Sequence, residues 1–499
     1  MEHIILIAYI VCLSILFVFG AHGFVMVYHY YRHRNEVDGV LPLTRTPMVT
    51  IQLPLYNEMY VVRRLIDASC AIEYPKDKLE IQVLDDSTDE TVDLVASIVR
   101  EKQEQGYIIH HVRRPNRKGF KAGALKEGLK TAAGEFVAIF DADFIPKPEF
   151  LRMTVPYFDT DPSIGMVQTR WEHLNGDYSL MTRTQAMALD GHFVIEQNIR
   201  NKAGYFINFN GTGGVWRTSC IMDAGDWQSD TLTEDLDLSY RAQLRGWKFK
   251  FLRDVTSPAE LPAEINALKS QQFRWTKGAI ETARKLLPMV WRSDIPFRIK
   301  FHSTFHLTNN IVFPFIILAS LLNVPLTFIK HAGGFDAYFD FMSVFVLAFI
   351  GSFLFYLYSQ KDIYPDWRRR IFLFPVFMAG SMGFAVNNSK AVLEGLFKRK
   401  SEFVRTPKYG IEGKKQSWKD KKYVPVKFSW TVIIEIALAL YCGAGALASL
   451  YYLEIAAVPF QLLFTMGYGF VAYLSVQQAL EARRVKLAQM DLTVEPIAA

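Results

Sequence analysis

Six apolar runs impose the strongest constraint on how this 499-residue chain can fold. Half of the residues are hydrophobic, and the runs cover approximately residues 4–28, 307–328, 338–358, 372–386, 432–453 and 456–474. A helix of about 20 apolar residues is long enough to cross a bilayer. Residues 44–299 instead have mixed polar and apolar character. The sequence therefore predicts a membrane protein with one large soluble domain.

The fourth apolar run, residues 372–386, differs from the others. It is short, it contains Pro375, Gly380 and Gly383, and three arginines precede it. This composition favours a segment that lies in the membrane interface over one that crosses the bilayer. We therefore predict five membrane spans and one interfacial segment.

Basic residues predict the orientation, because cytoplasmic loops are enriched in lysine and arginine. Arg32 and Arg34 follow the first run, and residues 389–427 carry twelve lysines and arginines. Both stretches lie on the cytoplasmic side only if the interfacial segment does not cross. The first run could also be a signal peptide, but it lacks a basic start and exceeds the usual length of a signal core. We expect a retained anchor, a cytoplasmic soluble domain and a location in the plasma (inner) membrane.

These patterns predict six consecutive regions. They are an anchor (1–30), a soluble domain (44–299), two membrane helices (304–358), the interfacial segment with a basic loop (366–428), two further membrane helices (430–475) and a cytoplasmic tail (476–499).

Within the soluble region, a strand-like segment at residues 136–140 runs directly into Asp141 and Asp143. Residues i and i+2 of an extended chain share a face, so both carboxylates point to one spot beyond the strand. Open α/β sheets bind their ligands at that edge. Mg²⁺ commonly takes one or two carboxylates together with substrate phosphates. The pattern predicts a nucleotide diphosphate held through a metal, while a cap of the following helix is the alternative interpretation.

Strand and helix patterns alternate in the region before these aspartates, which predicts a parallel, doubly wound sheet. Asp85 and Asp86 end the second predicted strand, and we expect them to contact the base or ribose of a nucleoside. Lys121 belongs to a basic cluster at the start of a predicted helix and is our candidate for a phosphate contact. A solvated surface patch is the alternative interpretation of that cluster.

Several motifs follow one another in order along the chain: the strand followed by Tyr56-Asn57-Glu58, the Asp85-Asp86 pair, the KAGAL segment, Asp141-x-Asp143, FNGTGG at 209–214, Thr233-Glu234-Asp235 and the Q-x-x-R-W pattern of residues 271–275. Together they resemble the motifs of family 2 glycosyltransferases, which have a GT-A fold. The last pattern is similar to that of cellulose, mannan and hyaluronan synthases. The resemblance is greatest to the cellulose-synthase-like enzymes that make mannan and xyloglucan backbones. It implies an α/β GT-A-type domain joined to an α-helical transmembrane region.

The resemblance also implies roles for individual residues. Asp235 would be the catalytic base, with Glu234 orienting its neighbours, although both could simply be first-turn acids of a helix. The nucleotide sugar would contact Asp85, Asp86, Lys121, Asp141, Gln271 and Arg274, and the metal would be held by Asp141 and Asp143. The acceptor would contact Trp171, Gly211, Thr212 and Trp275, with Trp216 extending the track. Phe403, Thr406 and Lys408 resemble a gating loop, in which Arg405 replaces a valine; lipid headgroup binding is the alternative for this basic segment.

The expected activity is inverting transfer of a hexose from UDP-glucose or GDP-mannose to a growing β-glycan, with Mg²⁺ or Mn²⁺ as cofactor. The main alternative is a synthase that adds one sugar to diacylglycerol or ceramide, and a remote one is an inactive scaffold or transporter. Expected partners are the nucleotide sugar, a glycan or glycolipid acceptor, membrane lipids and accessory export subunits, with no nucleic acid.

Overall fold

The computed structural model describes residues 1–399, 401, 404–419, 421–423 and 429–492, and of residues 482 and 484–492 it describes the backbone alone. Seven strands of the described chain form one sheet. They are β1 (Val49–Leu55), β2 (Leu79–Asp85), β3 (Ile108–Val112), β4 (Phe136–Ile139), β5 (Ile164–His173), β6 (Gly214–Arg217) and β7 (Lys248–Ala259).

The α-helices surround this sheet and continue into an apolar bundle. In chain order they are α1 (Glu2–His33), α2 (Val62–Cys70), α3 (Thr91–Glu104), α4 (Phe120–Leu129), α5 (Phe150–Thr154), α6 (Tyr157–Thr160), α7 (Leu180–Asp190), α8 (Asn198–Lys202), α9 (Thr218–Asp223), α10 (Glu234–Leu244), α11 (Ile265–Arg292), α12 (Phe297–Thr308), α13 (Val312–Ala332), α14 (Asp336–Met342), α15 (Val346–Ile363), α16 (Trp367–Arg370), α17 (Phe374–Gly383), α18 (Ala385–Leu396), α19 (Thr431–Tyr451) and α20 (Val458–Leu492). A π-helical segment, Gly191–Gln197, joins α7 to α8.

The sheet has the order β3-β2-β1-β4-β6-β5-β7. Strands β3, β2, β1 and β4 are parallel, as the alternating pattern predicts. Strand β6 is antiparallel to both β4 and β5, and β7 is parallel to β5. The carboxyl ends of β1, β2 and β4 therefore meet at one edge, where the acidic residues follow.

Both faces of the sheet are covered, which explains the wholly apolar sequence of β4, FVAI. Phe136, Ala138 and Phe140 pack into one core, whereas Val137 and Ile139 pack into the core on the opposite face. Successive side chains of a strand alternate between faces. The strand that carries the aspartate pair is thus fixed from both sides.

Five described helices are long and apolar enough to cross a membrane: Glu2–His33, Phe297–Ala332, Asp336–Ile363, Thr431–Tyr451 and Ile455–Glu481. This agrees with the five predicted spans. We call these helices, together with α17 and α18, the apolar bundle. The predicted interfacial segment falls on α17 and the start of α18, which form a pair bent by 46°. Counting that pair as one span would give six. Helix α20 continues to Leu492, beyond the predicted end of the last span, because good helix formers such as Gln, Ala, Glu and Arg follow it.

A buried ion pair connects α11 to the apolar bundle. Lys269 of α11 donates to Glu435 of α19 over 2.8 Å, and also to Ser475 of α20 over 2.8 Å. Glu435 is fully buried. Because breaking such a pair leaves an uncompensated charge, this contact holds α11 against the bundle.

Candidate active site

The carboxyl edge of the parallel strands borders a pocket of about 110 Å³, which we call the acidic pocket. Its walls include Glu58 after β1, Asp86 after β2, and Asp141 and Asp143 after β4. Cationic side chains complete it: Arg117, Lys121, Arg274, Arg405 and Lys408. The acids and bases of distant segments thus converge at one place, as the parallel topology requires.

The neighbouring residues Asp85 and Asp86 have different surroundings. Asp85 is 1% exposed and accepts hydrogen bonds from the His111 ring (2.8 Å) and the Ser87 amide (2.8 Å). Burial opposes ionisation, but these hydrogen bonds lower the pKa of Asp85 below its usual value. Asp86 lines the pocket and is held by Arg114 at 2.7 and 2.5 Å. Asp85 therefore supports the pocket wall from behind, whereas Asp86 faces the space.

Asp141 and Asp143 both line the acidic pocket, and each is paired with a lysine. Lys121 lies 2.6 Å from Asp141, and Lys408 contacts Asp143. No cluster of three or more His, Cys, Asp or Glu side chains with metal-site geometry occurs in the described part of the chain. Two carboxylates nevertheless suit a hard divalent ion that completes its shell with phosphate oxygens and water. The donor set fits such an ion when a diphosphate is bound with it.

A second space, the aromatic cavity, has a volume of about 380 Å³. Trp171, Asp235, Gln271 and Trp275 line it, together with residues of the π-helical segment and of α13, α17 and α20. The Trp171 indole donates to the carbonyl of Thr212 over 3.4 Å. The cavity therefore extends from the sheet-containing region to the helices of the apolar bundle.

Asp235 lies in the first turn of α10. Its burial and the charge of Glu234 raise the pKa of Asp235 to about 7, while the Lys121 ammonium opposes this rise. Gly211 has φ of +82°, and a Cβ atom at this position would lie 3.0 Å from Oδ2 of Asp235. Glycine is thus required both by the left-handed backbone and by the close approach to the carboxylate.

Lys121 connects the two spaces. Its ammonium donates to the carbonyl of Gly211 over 2.9 Å, contacts Asp141, and lies 3.9 Å from Glu234. Lys121 lines the acidic pocket, whereas Asp235 lines the aromatic cavity. One cation therefore lies between the carboxylates of the two spaces.

Helix α11 contributes to both spaces. Gln271 and Trp275 line the aromatic cavity, while Arg274 lines the acidic pocket. Arg274 and Trp275 are adjacent on the helix and point in different directions, while Gln271, one turn earlier, lies next to both. The spacing of the Q-x-x-R-W pattern thus divides its side chains between the two spaces.

Three of the predicted acceptor residues, Gly211, Thr212 and Trp216, do not line the aromatic cavity. Thr212 is 1% exposed; its hydroxyl accepts from the Asp141 amide over 2.9 Å, so it fixes the backbone behind the aspartate pair. Trp216 is fully buried in the sheet core among Phe209, Trp227 and Phe249. The expectation that Trp216 extends a sugar track is therefore wrong, because it points into the core from β6.

The predicted gating segment covers the acidic pocket. Arg405 lies 2.7 Å from Glu58, Lys408 contacts Asp143, and Thr406 lines the pocket. The amides of Tyr409 and Gly410 donate to Glu260 over 3.0 and 2.9 Å. Phe403, the first residue of the predicted motif, lies outside the described residues.

Sequence reasoning missed several partners in these spaces. Glu58 and Glu260, which hold the covering segment, and Arg114, which holds Asp86, were not predicted as site residues. The position of Glu58 at the end of β1 was a usable signal, since polar groups at that edge face the ligand side. Glu260 gave no local signal, because its partners lie about 150 residues away.

Comparisons with known proteins agree with this architecture. A family model described as "Glycosyltransferase like family 2" matches residues 47–278. The chain is 48% identical to probable glucomannan 4-beta-mannosyltransferase 4 of Oryza sativa subsp. japonica over 244 residues, which is 48% of this chain and 44% of that protein. It is 36% identical to glucomannan 4-beta-mannosyltransferase 7 of Arabidopsis thaliana over 444 residues, which is 85% of this chain and 77% of that protein.

The chain spans about half the length of many of the curated relatives it matches. Its fold is similar to that of the mannosyltransferase PcManGT from Pyrobaculum calidifontis, solved in complex with GDP-Man and Mn²⁺, with a TM-score of 0.54 and 20% sequence identity. That match covers 78% of this chain and all of the other, and it confirms the GT-A fold. Because the Arabidopsis protein is matched over most of its length, the chain belongs to glycosyltransferase family 2.

Proposed function

We propose that this protein is an inverting β-mannosyltransferase that transfers mannose from GDP-mannose to the end of a β-glycan. The proposal rests on one observation: Asp235, whose burial raises its pKa to about 7, lines the aromatic cavity beside the lysine that borders the acidic pocket. Sugar transfer requires a donor site, an acceptor site and a catalytic base at the junction of the two sites. The names of the plant relatives favour mannose over glucose as the sugar.

The acidic pocket is the proposed donor site. Asp141 and Asp143 would hold a divalent ion, Mg²⁺ or Mn²⁺, which would neutralise charge on the departing diphosphate. Arg274 offers a planar guanidinium suited to phosphate oxygens. Asp86, fixed by Arg114, would accept from a base N–H or a ribose hydroxyl. The solved mannosyltransferase with GDP-Man and Mn²⁺ is consistent with this assignment.

Asp235 is the proposed base. It would take the proton of an acceptor hydroxyl as that oxygen bonds to C1 of the sugar and the C1–O bond to the diphosphate breaks. Attack opposite the leaving group inverts an α-linked donor to a β-linked product. A base with a pKa near the working pH combines a useful ionised fraction with sufficient basicity. Glu234 would set that pKa through its charge.

The segment from Val404 to Lys408 is the proposed gate. The acidic pocket, at about 110 Å³, is smaller than the 300 Å³ or more typical of small-molecule sites. Arg405 and Lys408 close it through Glu58 and Asp143. A nucleotide sugar would have to displace these contacts, after which the two cations would be available to its phosphates.

The aromatic cavity is the proposed acceptor site. Trp275 and Trp171 offer flat apolar faces to pyranose rings, and Phe313, Phe377 and Phe470 of the apolar bundle continue the lining. A cavity that opens among membrane helices favours repeated addition, with the product passing into the bundle. The same apolar lining would also suit the lipid part of a glycolipid acceptor. Cytoplasmic orientation in the plasma (inner) membrane remains our prediction from the basic loops.

The test uses the full-length protein in lipid nanodiscs with Mn²⁺ and radiolabelled GDP-mannose or UDP-glucose. We expect a β-mannanase-sensitive polymer from GDP-mannose, and loss of transfer but retention of GDP binding in Asp235→Asn. A single chloroform-soluble glycolipid as product would show that the protein adds one sugar and does not polymerise. Activity in excess EDTA would refute the metal role of Asp141 and Asp143. Wild-type turnover by Asp235→Asn would remove the base assignment.

A further inference from the structure

The π-helical segment Gly191–Gln197 interrupts what would otherwise be one helix from α7 to α8. Such segments are rare and occur often at functional sites, because they redirect side chains within a helix. Here the segment carries a histidine and a glutamate, His192 and Glu196, and both line the aromatic cavity. Neither residue belongs to the motifs that indicated the proposed reaction.

His192 has defined partners on both ring nitrogens. Nδ1 lies 2.9 Å from Oε2 of Glu196, and Nε2 lies 2.9 Å from the side-chain amide nitrogen of Asn210. The only consistent assignment has Nδ1 donating to the glutamate and Nε2 accepting from the asparagine. The imidazole is therefore fully used in holding its two neighbours.

Glu196 retains capacity to bind another group. One of its oxygens accepts from His192, and the other lies 3.5 Å from a guanidinium nitrogen of Arg200. Its side chain is 22% exposed, and it borders the cavity. Burial opposes ionisation, but His192 and Arg200 lower the pKa of Glu196 well below its usual value. A carboxylate with unused lone pairs therefore faces a space otherwise lined mainly by aromatic and neutral side chains.

The same network reaches the proposed base. Asn210 is held by His192 and also accepts from Gln197 over 2.6 Å. The next residue, Gly211, is the one whose backbone abuts Asp235. The glutamate and the proposed base are thus positioned on one connected scaffold, which would fix the distance between them.

We propose that Glu196 binds hydroxyl groups of the acceptor sugar and that His192 is the positioning residue that orients it. Carboxylate oxygens accept strongly from hydroxyl groups, while the tryptophans would take the sugar faces. Glu196 would then favour acceptor sugars whose hydroxyl groups can donate to its carboxylate, and so contribute to acceptor specificity. This inference rests on the proposed glycosyl transfer and adds a specificity-determining residue to it.

The test measures binding apart from turnover, in the full-length Asp235→Asn protein in nanodiscs. Trp171 and Trp275 line the cavity, so tryptophan fluorescence should respond to β-1,4-mannohexaose. We expect Glu196→Gln to raise the Kd by roughly 10- to 100-fold, the usual effect of losing a hydrogen bond to a charged group. Glu196→Asp, which retains the charge on a shorter side chain, should give an intermediate Kd.

Asp190→Asn is the matched control. Asp190 is also a buried carboxylate paired with an imidazole, His173 at 3.0 Å, and it lies six residues earlier on the same helix, outside the cavity lining. This variant should retain the parent Kd. GDP binding by calorimetry checks that each variant is folded. A Kd equal to the parent value in both Glu196 variants would overturn the inference, as would an equal loss in Asp190→Asn.

Kinetics separate the inference from the proposed function. With Asp235 intact, Glu196→Gln should raise the acceptor KM more than it lowers kcat, and Glu196→Asp should recover part of the difference. If the wild type polymerises mannose while Glu196→Gln keeps the wild-type acceptor KM, only the inference fails. If the wild type does not use GDP-mannose but Glu196→Gln still weakens oligosaccharide binding, only the proposed activity fails. A parent protein that binds no mannohexaose would overturn both.

Discussion

The pH dependence of transfer should report the environment of Asp235, and Glu234→Gln should change it in a defined direction. Burial is the largest cause of the raised pKa of Asp235, and the Glu234 charge is the second. The ionised carboxylate is the proposed base. Activity should therefore rise with pH through about 7 and be lost as the carboxylate becomes protonated below that value.

The size of the effect follows from the pKa. With a pKa of about 7, only about one tenth of Asp235 is ionised at roughly pH 6, so kcat/KM should fall about tenfold for each further unit of pH. Removing a nearby like charge lowers the pKa of a carboxylate. Glu234→Gln should thus move the midpoint below about 7, while Lys121→Gln should move it upward, because it removes the ammonium that favours ionisation.

The assay is GDP release at saturating donor and metal, with kcat/KM for the acceptor measured from about pH 5 to 9. GDP and Mn²⁺ binding are measured across the same range, so that donor binding can be separated from the base. Asp223→Asn is the control, because Asp223 is paired with Arg245 on the surface and is not among the residues that set the Asp235 pKa. A midpoint that does not move in Glu234→Gln, or that moves upward, would refute the electrostatic reasoning.

Three further outcomes are expected. Lys408→Gln removes the ammonium that competes with a metal for Asp143, so Mn²⁺ should bind about 5- to 10-fold more tightly in the absence of nucleotide, a gain of about 1 kcal/mol measured by calorimetry. Weaker binding would contradict the proposal that Lys408 closes the metal site as part of the gate. Trp275→Ala should raise the acceptor KM while leaving the GDP Kd near that of the wild type, and Trp275→Phe should retain most of the acceptor affinity. An equal loss of GDP affinity would mean that the indole does not act in the acceptor site alone. Glu435→Gln should destabilise the protein by about 3 kcal/mol, because it leaves the Lys269 ammonium buried without its carboxylate partner. The loss should appear as a lower Tm in detergent. An unchanged Tm would mean that the ion pair does not hold α11 to the apolar bundle.

Much of the architecture could be predicted from the sequence, because it depends on patterns that are local. Apolar runs of membrane length predicted five helices, and alternating strand and helix periods predicted the parallel half of the sheet. The spacing of Asp141 and Asp143 on extended chain predicted that both would face one pocket, and they do. The family resemblance came from motifs whose order along the chain is visible without coordinates.

Other features depend on which distant segments meet. Asp85 and Asp86 are adjacent in sequence, yet His111 covers one and Arg114 leaves the other facing the pocket. Trp216 is of a residue type that often contacts sugars, but its side chain points from β6 into the core.

The sequence by itself therefore determined the class of fold, the membrane segments and the set of candidate carboxylates, since periodicity, length and residue type are properties of short stretches. Only the tertiary structure decided which of those groups share a space. Lys408 contacts Asp143 although the two are 265 residues apart in the sequence. Glu196 lines the aromatic cavity from a π-helical segment that no local sequence pattern predicted. Contacts between remote segments arise only when the whole chain packs, and that packing sets both which charged side chains meet and the distances between them.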